Sequence, residues 1–257
     1  MKYIRHQECE VEINNKKVFA KSAQISAGSS AQGNIEFGGN LRNYNATSAL
    51  SASASISYYI TGKEDHIAEL TGVNLCSGRF CGIEFSGACL NNYSIEIEPY
   101  KPVQFNADLT IYSGYRFETK TGSFEGSSTG LANGAYTELI NFNKNNIGLD
   151  YPKNISYNIQ CERSANYVIG EEFAQNITLG SVRKNVSVRG ENVGSIITFS
   201  GRDCAMLGMS PRNIDYAARG QTLNCNGVIV NQDLSVSSNN GLLAGSVEIL
   251  EVVRWLN

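Results

Sequence analysis

Glu96, Glu98 and Asp108 come nearest to a catalytic arrangement in this chain, because two carboxylates on one side of a sheet can share acid and base roles in glycoside hydrolysis. Glu96 and Glu98 stand two apart in YSIEIEPYKPVQFNADLTIY, residues 93–112, and Asp108 takes the same side on the return stretch. Their neighbours on that side are Ser94, Gln104, Asn106 and Thr110, not the aromatic rings that grip a sugar. The expectation is a solvated polar face and no enzyme.

Other chemistries have less material. His6 and His66 are the only imidazoles, His6 in an expected terminal arm and His66 in a short turn. Cys76, Cys81 and Cys89 miss the usual zinc-ligand spacing and have no His to complete a set, so they are expected to be buried structural thiols. No G-x-S-x-G, H-E-x-x-H or P-loop pattern occurs. The run Ser51-Ala52-Ser53-Ala54-Ser55 lacks the Gly-rich turn and Lys of a phosphate loop. No cofactor and no metal are expected.

Composition excludes a second class. The 21 Lys and Arg are scattered and outnumbered by 24 Asp and Glu, for a net charge of −3, whereas a DNA-gripping surface needs clustered cations to release counterions. The seven Cys are irregularly spaced, which suits free thiols in a reducing cytoplasm better than a disulfide framework. The opening MKYIRHQECEVEI is charged throughout, and neither a signal peptide nor a membrane anchor is expected there. Five N-x-S/T sequons, at Asn45, Asn92, Asn154, Asn176 and Asn185, are read as a product of an Asn-, Ser- and Thr-rich composition.

The elements that must position these residues are strands. Apolar and polar residues alternate with period two in residues 10–13, 18–26, 49–60, 80–85, 156–161, 176–179, 185–189, 195–200, 222–230, 233–237 and 245–253, and residues 93–112 read as a long two-faced hairpin around the Pro99–Pro102 break. Two short helices are expected, at residues 65–70 with Asp65 as cap and at 212–219 before Gly220. A polar stretch at 26–49 reads as a long loop or projecting hairpin, and Gly, Ser and Thr dominate residues 113–134. The expected organisation is a first β-domain at 1–115, a connector at 116–134 and a second β-domain at 135–257.

An approximate repeat supports that division. SGACLNNYSIEIEPYKPVQFNADLTIY can be laid over NGVIVNQDLSVSSNNGLLAGSVEILEV with a shift of about 140 residues, placing Gly87 on Gly227, Asn91 on Asn231, and Ile95 and Ile97 near Leu234 and Val236. A weaker echo pairs ISYYI at 56–60 with ISYNI at 155–159.

The order of a first hairpin, a Ser/Ala-rich strand, a short helix and the closing hairpin NYSIEIEPYKPVQFNADLTIYSG resembles the tail tube proteins of tailed bacteriophages, a fold shared with the tube protein of type VI secretion. NGVIVNQDLSVSSNNGLLAGSVEILEVVR looks like a second copy of the closing hairpin. The resemblance implies a mainly β protein of two tandem sandwich- or barrel-like tube domains. It implies a virion structural protein, either the repeating tube or a distal-tail or baseplate hub ring, assembled in the host cytoplasm. It further implies trimeric or hexameric rings that stack around a tape-measure protein and later conduct DNA without sequence-specific binding or a membrane partner. The lumen would be lined by Glu96, Glu98, Gln104, Asn106, Asp108 and Thr110, and Ser51, Ser53 and Ser55 are the candidates for contact between subunits. The alternative is a two-domain β-sandwich binding module, an adhesin or carbohydrate-binding protein that uses its Tyr and Asn residues.

Overall fold

The computed structural model describes residues 11–18, 20–35, 41–46, 51–58, 68–72, 75–80, 83–98, 101, 104–117, 139–142, 149–169, 171, 173–193, 212–218, 221–236 and 243–254. Across them the protein is mainly β, with one short 3₁₀ turn at Ala68–Thr71. The first-half strands are β1 (Val11–Ile13), β2 (Lys16–Val18), β3 (Ala20–Gly28), β4 (Ala31–Ile35), β5 (Leu41–Ala46), β6 (Ser51–Tyr58), β7 (Cys76–Phe80), β8 (Ile83–Ile97) and β9 (Gln104–Phe117). They are followed by β10 (Leu139–Phe142), β11 (Leu149–Asn166), β12 (Asn176–Val193), β13 (Arg212–Ala218), β14 (Gln221–Val236) and β15 (Leu243–Arg254).

Thirteen strands join one antiparallel sheet, and β4 and β5 pair separately as a two-stranded hairpin within the stretch expected to project. β8 is the branch point. Along one edge it carries β9, from Ile83↔Phe117 to Glu96↔Gln104. Its other edge is shared between β7, beside Ile83 to Ala88, and β11, beside Asn92 to Ile97.

The pairing scheme occurs twice. Strands β1, β3, β6, β7, β8 and β9 connect as β1·β7·β8·β9·β6·β3, and β10 to β15 connect as β10·β13·β14·β15·β12·β11. Numbered in sequence order within each set, both read 1·4·5·6·3·2. Both closing hairpins also bulge at one place: Leu90↔Leu109 steps to Asn92↔Asp108, and Ile229↔Ile249 steps to Asn231↔Glu248. Matching the bulges puts Ile95 on Leu234 and Ile97 on Val236, as the sequence overlay does. It puts Asn92 rather than Asn91 on Asn231, one residue off the overlay. The ISYYI and ISYNI echo falls on non-equivalent strands, the third of one set (β6) and the second of the other (β11).

Several expected elements differ. Residues 212–219, expected as a helix, hold strand β13 instead. Ala217 and Ala218 favour helix, but Ile214 and Tyr216 alternate with Asn213 and Asp215, and β14 pairs with the whole strand from Arg212↔Gly227 to Ala218↔Gln221. That pairing outweighs propensity differences of less than about 1 kcal/mol per residue. Residues 80–85, expected as one strand, are divided between β7 and β8, so that Phe80 and Ile83 face each other. The pieces expected at 176–179 and 185–189 are one strand, as are those at 222–230 and 233–237. β9 runs to Phe117, past the expected domain end at 115. His6, Asp65, His66, Cys81, residues 118–134 and residues 195–200 lie outside the described residues.

Alternation builds a one-sided core. Tyr58, Phe105, Ile95, Tyr157, Val186 and Ile249 form one registered row across six strands and are all buried. Phe105 stacks on Tyr58 at 5.5 Å between ring centroids, and each such side chain contributes about 1.5–3 kcal/mol of burial. At the β1–β2 turn, Asn14 and Asn15 both take positive φ (50° and 61°), which suits a tight hairpin turn because Asn tolerates the left-handed region.

Cys76, Cys89 and Cys161 are buried free thiols close to Arg163. The guanidinium Nη2 donates to the carbonyls of Gly72 (2.6 Å) and Leu90 (3.4 Å), tying the 3₁₀ segment to β8. Burial pushes the Cys76 thiol from 9.0 up to about 12, and the neighbouring Cys89 adds to the shift. An unfolded chain releases this proton near 9.0 and the folded one only near 12, so its contribution is complete below pH 9.0 and is lost as pH rises toward 12. Urea melts should show stability falling through that window, with a shallower fall in Cys76→Ala. An identical alkaline slope in the variant would contradict a buried thiol.

Candidate functional site: a polar face across the sheet

The side of the sheet opposite the core carries the polar set of each strand, aligned by register. One row runs Ser22, Ser57, Asn106, Ser94, Asn158, Asn185, Leu250 across β3, β6, β9, β8, β11, β12 and β15, and β14 adds the exposed Asn231 and Asp233 beside it. The next runs Gln24, Ser55, Asp108, Asn92, Gln160, Arg183, Val252. Gln104, Asn106, Asp108, Thr110 and Glu96 all lie on this face. Their chain neighbours Phe105, Ala107, Leu109, Ile111 and Ile95 point into the core. Glu98 follows the end of β8 and forms an ion pair with Lys101.

Amide donors on this face are used sideways. Asn92 Nδ2 and Ser55 Oγ both donate to the Asp108 carboxylate, at 3.2 and 2.7 Å. Gln104 Nε2 donates to Asn106 Oδ1 at 3.2 Å, Asn106 Nδ2 donates to Ser94 Oγ at 3.3 Å, and Asn91 Nδ2 donates to Thr110 Oγ1. In the second half Asn185 Nδ2 donates to Glu248 Oε1 at 2.6 Å. By the bulge match Glu248 is the counterpart of Asp108, so a carboxylate recurs at this place, held by Asn92 of the same hairpin in the first half and by Asn185 of the neighbouring strand β12 in the second. The Oδ1 atoms of Asn92, Asn158 and Asn185 are buried without a protein donor. The described face therefore keeps acceptors in surplus.

Charge is more mixed than the first hairpin suggests. Lys21 Nζ reaches Gln104 Oε1 at 3.3 Å, and β12 places Arg183 and Arg189 on this side, both exposed. Lys153 pairs with Glu191. Leu250 and the exposed Val252 interrupt the polar rows.

Asp108 and Glu96 are not spaced as a glycosidase pair. Asp108 stands opposite Asn92 and Glu96 opposite Gln104. The two are thus four residues apart along the ribbon, about 14 Å at ~3.4 Å per residue, beyond the roughly 5–9.5 Å that such pairs need. Ser53 and Ser55 share the polar face, and Ser53 Oγ lies 2.9 Å from Ser26 Oγ. Their strand, β6, is occupied on both edges within the chain, by β3 and by β9. At Ser51 the ladder with β3 reaches Gly28, while the ladder with β9 begins one residue later, at Ala52↔Ile111. From Ala52 to Tyr58, β6 therefore offers no open edge for strand pairing between chains.

Sequence reasoning did not assign Ser156, Asn158, Gln160, Asn185, Ser187 or Glu248 to the site, and they continue the face across β11, β12 and β15. The alternation of residues 156–161 and 185–189 was the available signal. No protein-family model and no curated protein matches the chain.

Proposed function

We propose that this chain is a structural subunit of a hollow tube of the bacteriophage tail class, either the repeating tube or a hub ring, and that it performs no catalysis. The observation that carries the reading is a face held in register across eight strands and polar except where Leu250 and Val252 of β15 interrupt it, backed by a single apolar face. A sheet of that kind curls readily into a wall with one side to a channel and one to its own core. We read the second occurrence of the 1·4·5·6·3·2 scheme as a second tube-like domain. Three chains with eight wall strands each, 3 × 8 = 24, would exceed the ~16–18 strands at which barrels already enclose an aqueous channel.

The chemistry of the face supports passage of DNA rather than its capture. Phosphate oxygens are acceptors, and along the first hairpin they would meet Glu96 and Asp108, the latter already holding the Asn92 and Ser55 donors, with Arg183 and Arg189 of β12 as exposed cations on the same face. A tape-measure protein would occupy the same bore before DNA.

Negative-stain microscopy of the purified protein tests this directly. Rings or tubes with a stain-filled centre are expected. A protein that stays monomeric at high concentration would overturn the proposal in favour of the two-domain binding module.

A further inference from the structure

We infer that copies of this chain join head to tail through residues 23–27 of β3 in one copy and residues 232–236 of β14 in the next, antiparallel, with Ile25 opposite Leu234. The partner, a second copy, rests on the ring reading above; the edges and their register come from the duplicated strand scheme.

Within the chain, the fifth strand of the first set already pairs with the second strand of the other set, β8 with β11, over Asn92↔Gln160 to Ile97↔Ile155. The equivalent positions of the complementary pair are the fifth strand of the second set, β14, and the second strand of the first, β3. Among the described residues β3 pairs only with β6, and β14 beyond Gly227 pairs only with β15. Of the edges left open among the described residues, alongside those of β2 and β10, these two are the counterparts of edges that are matched internally. Residues 22–24, 26 and 27 of β3 are exposed, as are Asn231, Asp233 and Ser235. Long open edges are what a further strand adds to.

Register follows from pairings already described. The bulge match sets Ile95 on Leu234 and Leu109 on Ile249. Leu109 pairs with Ala54 and Ile249 with Val186, and those pair in turn with Ile25 and Tyr157. Ile25 is thus the counterpart of Tyr157. Tyr157 pairs with Ile95, so Ile25 pairs with Leu234. The flanking pairs are Ala23 with Val236, Gln24 with Ser235, Ser26 with Asp233 and Ala27 with Gln232. Four of the five pairs match apolar with apolar or polar with polar, Ala27 with Gln232 being the exception, and no two like charges face each other.

A β3-to-β14 contact is heterologous: each copy offers both halves to different neighbours. It closes into a ring or continues as a filament.

The test mixes two full-length single variants, Gln24→Cys and Ser235→Cys, both at exposed polar positions. After copper–phenanthroline oxidation the products are separated on non-reducing gels against the unsubstituted chain as background. The mixture is expected to yield a covalent dimer well above the background of either variant alone. The double variant Gln24→Cys/Ser235→Cys is expected to yield a ladder of multimers. Absence of the mixed dimer while microscopy shows rings would overturn this register and leave the ring reading standing. Cross-linking without rings or tubes would sustain the contact and sink the tube. Self-linking of Gln24→Cys as strong as the mixed product would overturn the head-to-tail arrangement.

Discussion

Ile95→Asp is expected to abolish the cooperative unfolding transition of the whole sheet, whereas Ser94→Asp, one residue away, is expected to change stability by less than about 1 kcal/mol. Ile95 is 1% exposed and sits between Phe105 on β9 and Tyr157 on β11. A carboxylate there has no cation in its row, and an uncompensated buried charge costs at least about 3–5 kcal/mol, a large part of the ~5–15 kcal/mol that stabilises a domain. Ser94 lies on the polar face, where Asn106 donates to its hydroxyl. Urea melts followed by circular dichroism measure both. Equal losses from the two variants would refute the two-faced ribbon on which the reading of this protein depends.

Gly87→Ala is the second large effect, at about 3 kcal/mol. Gly87 has φ +60°, where an L side chain is strained by about 1–3 kcal/mol. An added Cβ would also stand 1.8 Å from Ser113 Oγ on β9. That hydroxyl is held by its own bond to the Ser86 carbonyl at 3.1 Å, so it cannot yield without losing a partner. Adding Ser113→Gly should return about 1–2 kcal/mol, the overlap term without the backbone term. A Gly87→Ala protein as stable as its parent would show that the chain does not make this kink.

The sequence revealed the strands because a period of two survives any tertiary setting. Tyr93, Ile95 and Ile97 against Ser94 and Glu96 could be sorted to two faces before any partner was known. Strand ends were harder to place. Alternation continues through a bulge or a tight turn, so nothing in GRFCGIEF showed that Phe80 and Ile83 belong to different strands. The helix expected at 212–219 failed because its determinant, the edge of β14, is remote in sequence. The candidate face was half visible: Asp108 and its neighbours stood out in the longest hairpin, while Asn185 lay on a strand read as two short pieces and Glu248 on a strand that was read whole but whose polar side was not assigned to the face. The open edges were not visible at all. Ser53 drew attention as a contact because small residues permit close approach, yet an edge is a property of pairing order, which only the fold supplies.

The seam between β8 and β11 has a thermodynamic consequence. It forms inside one molecule, so the two strands meet at an effective concentration of order millimolar or more. Only the complementary seam carries the translational and rotational entropy loss of bringing separate molecules together. If copies join as inferred, every other seam of the ring would be made before molecules collide, and ring formation would be governed by one bimolecular strand pairing per chain.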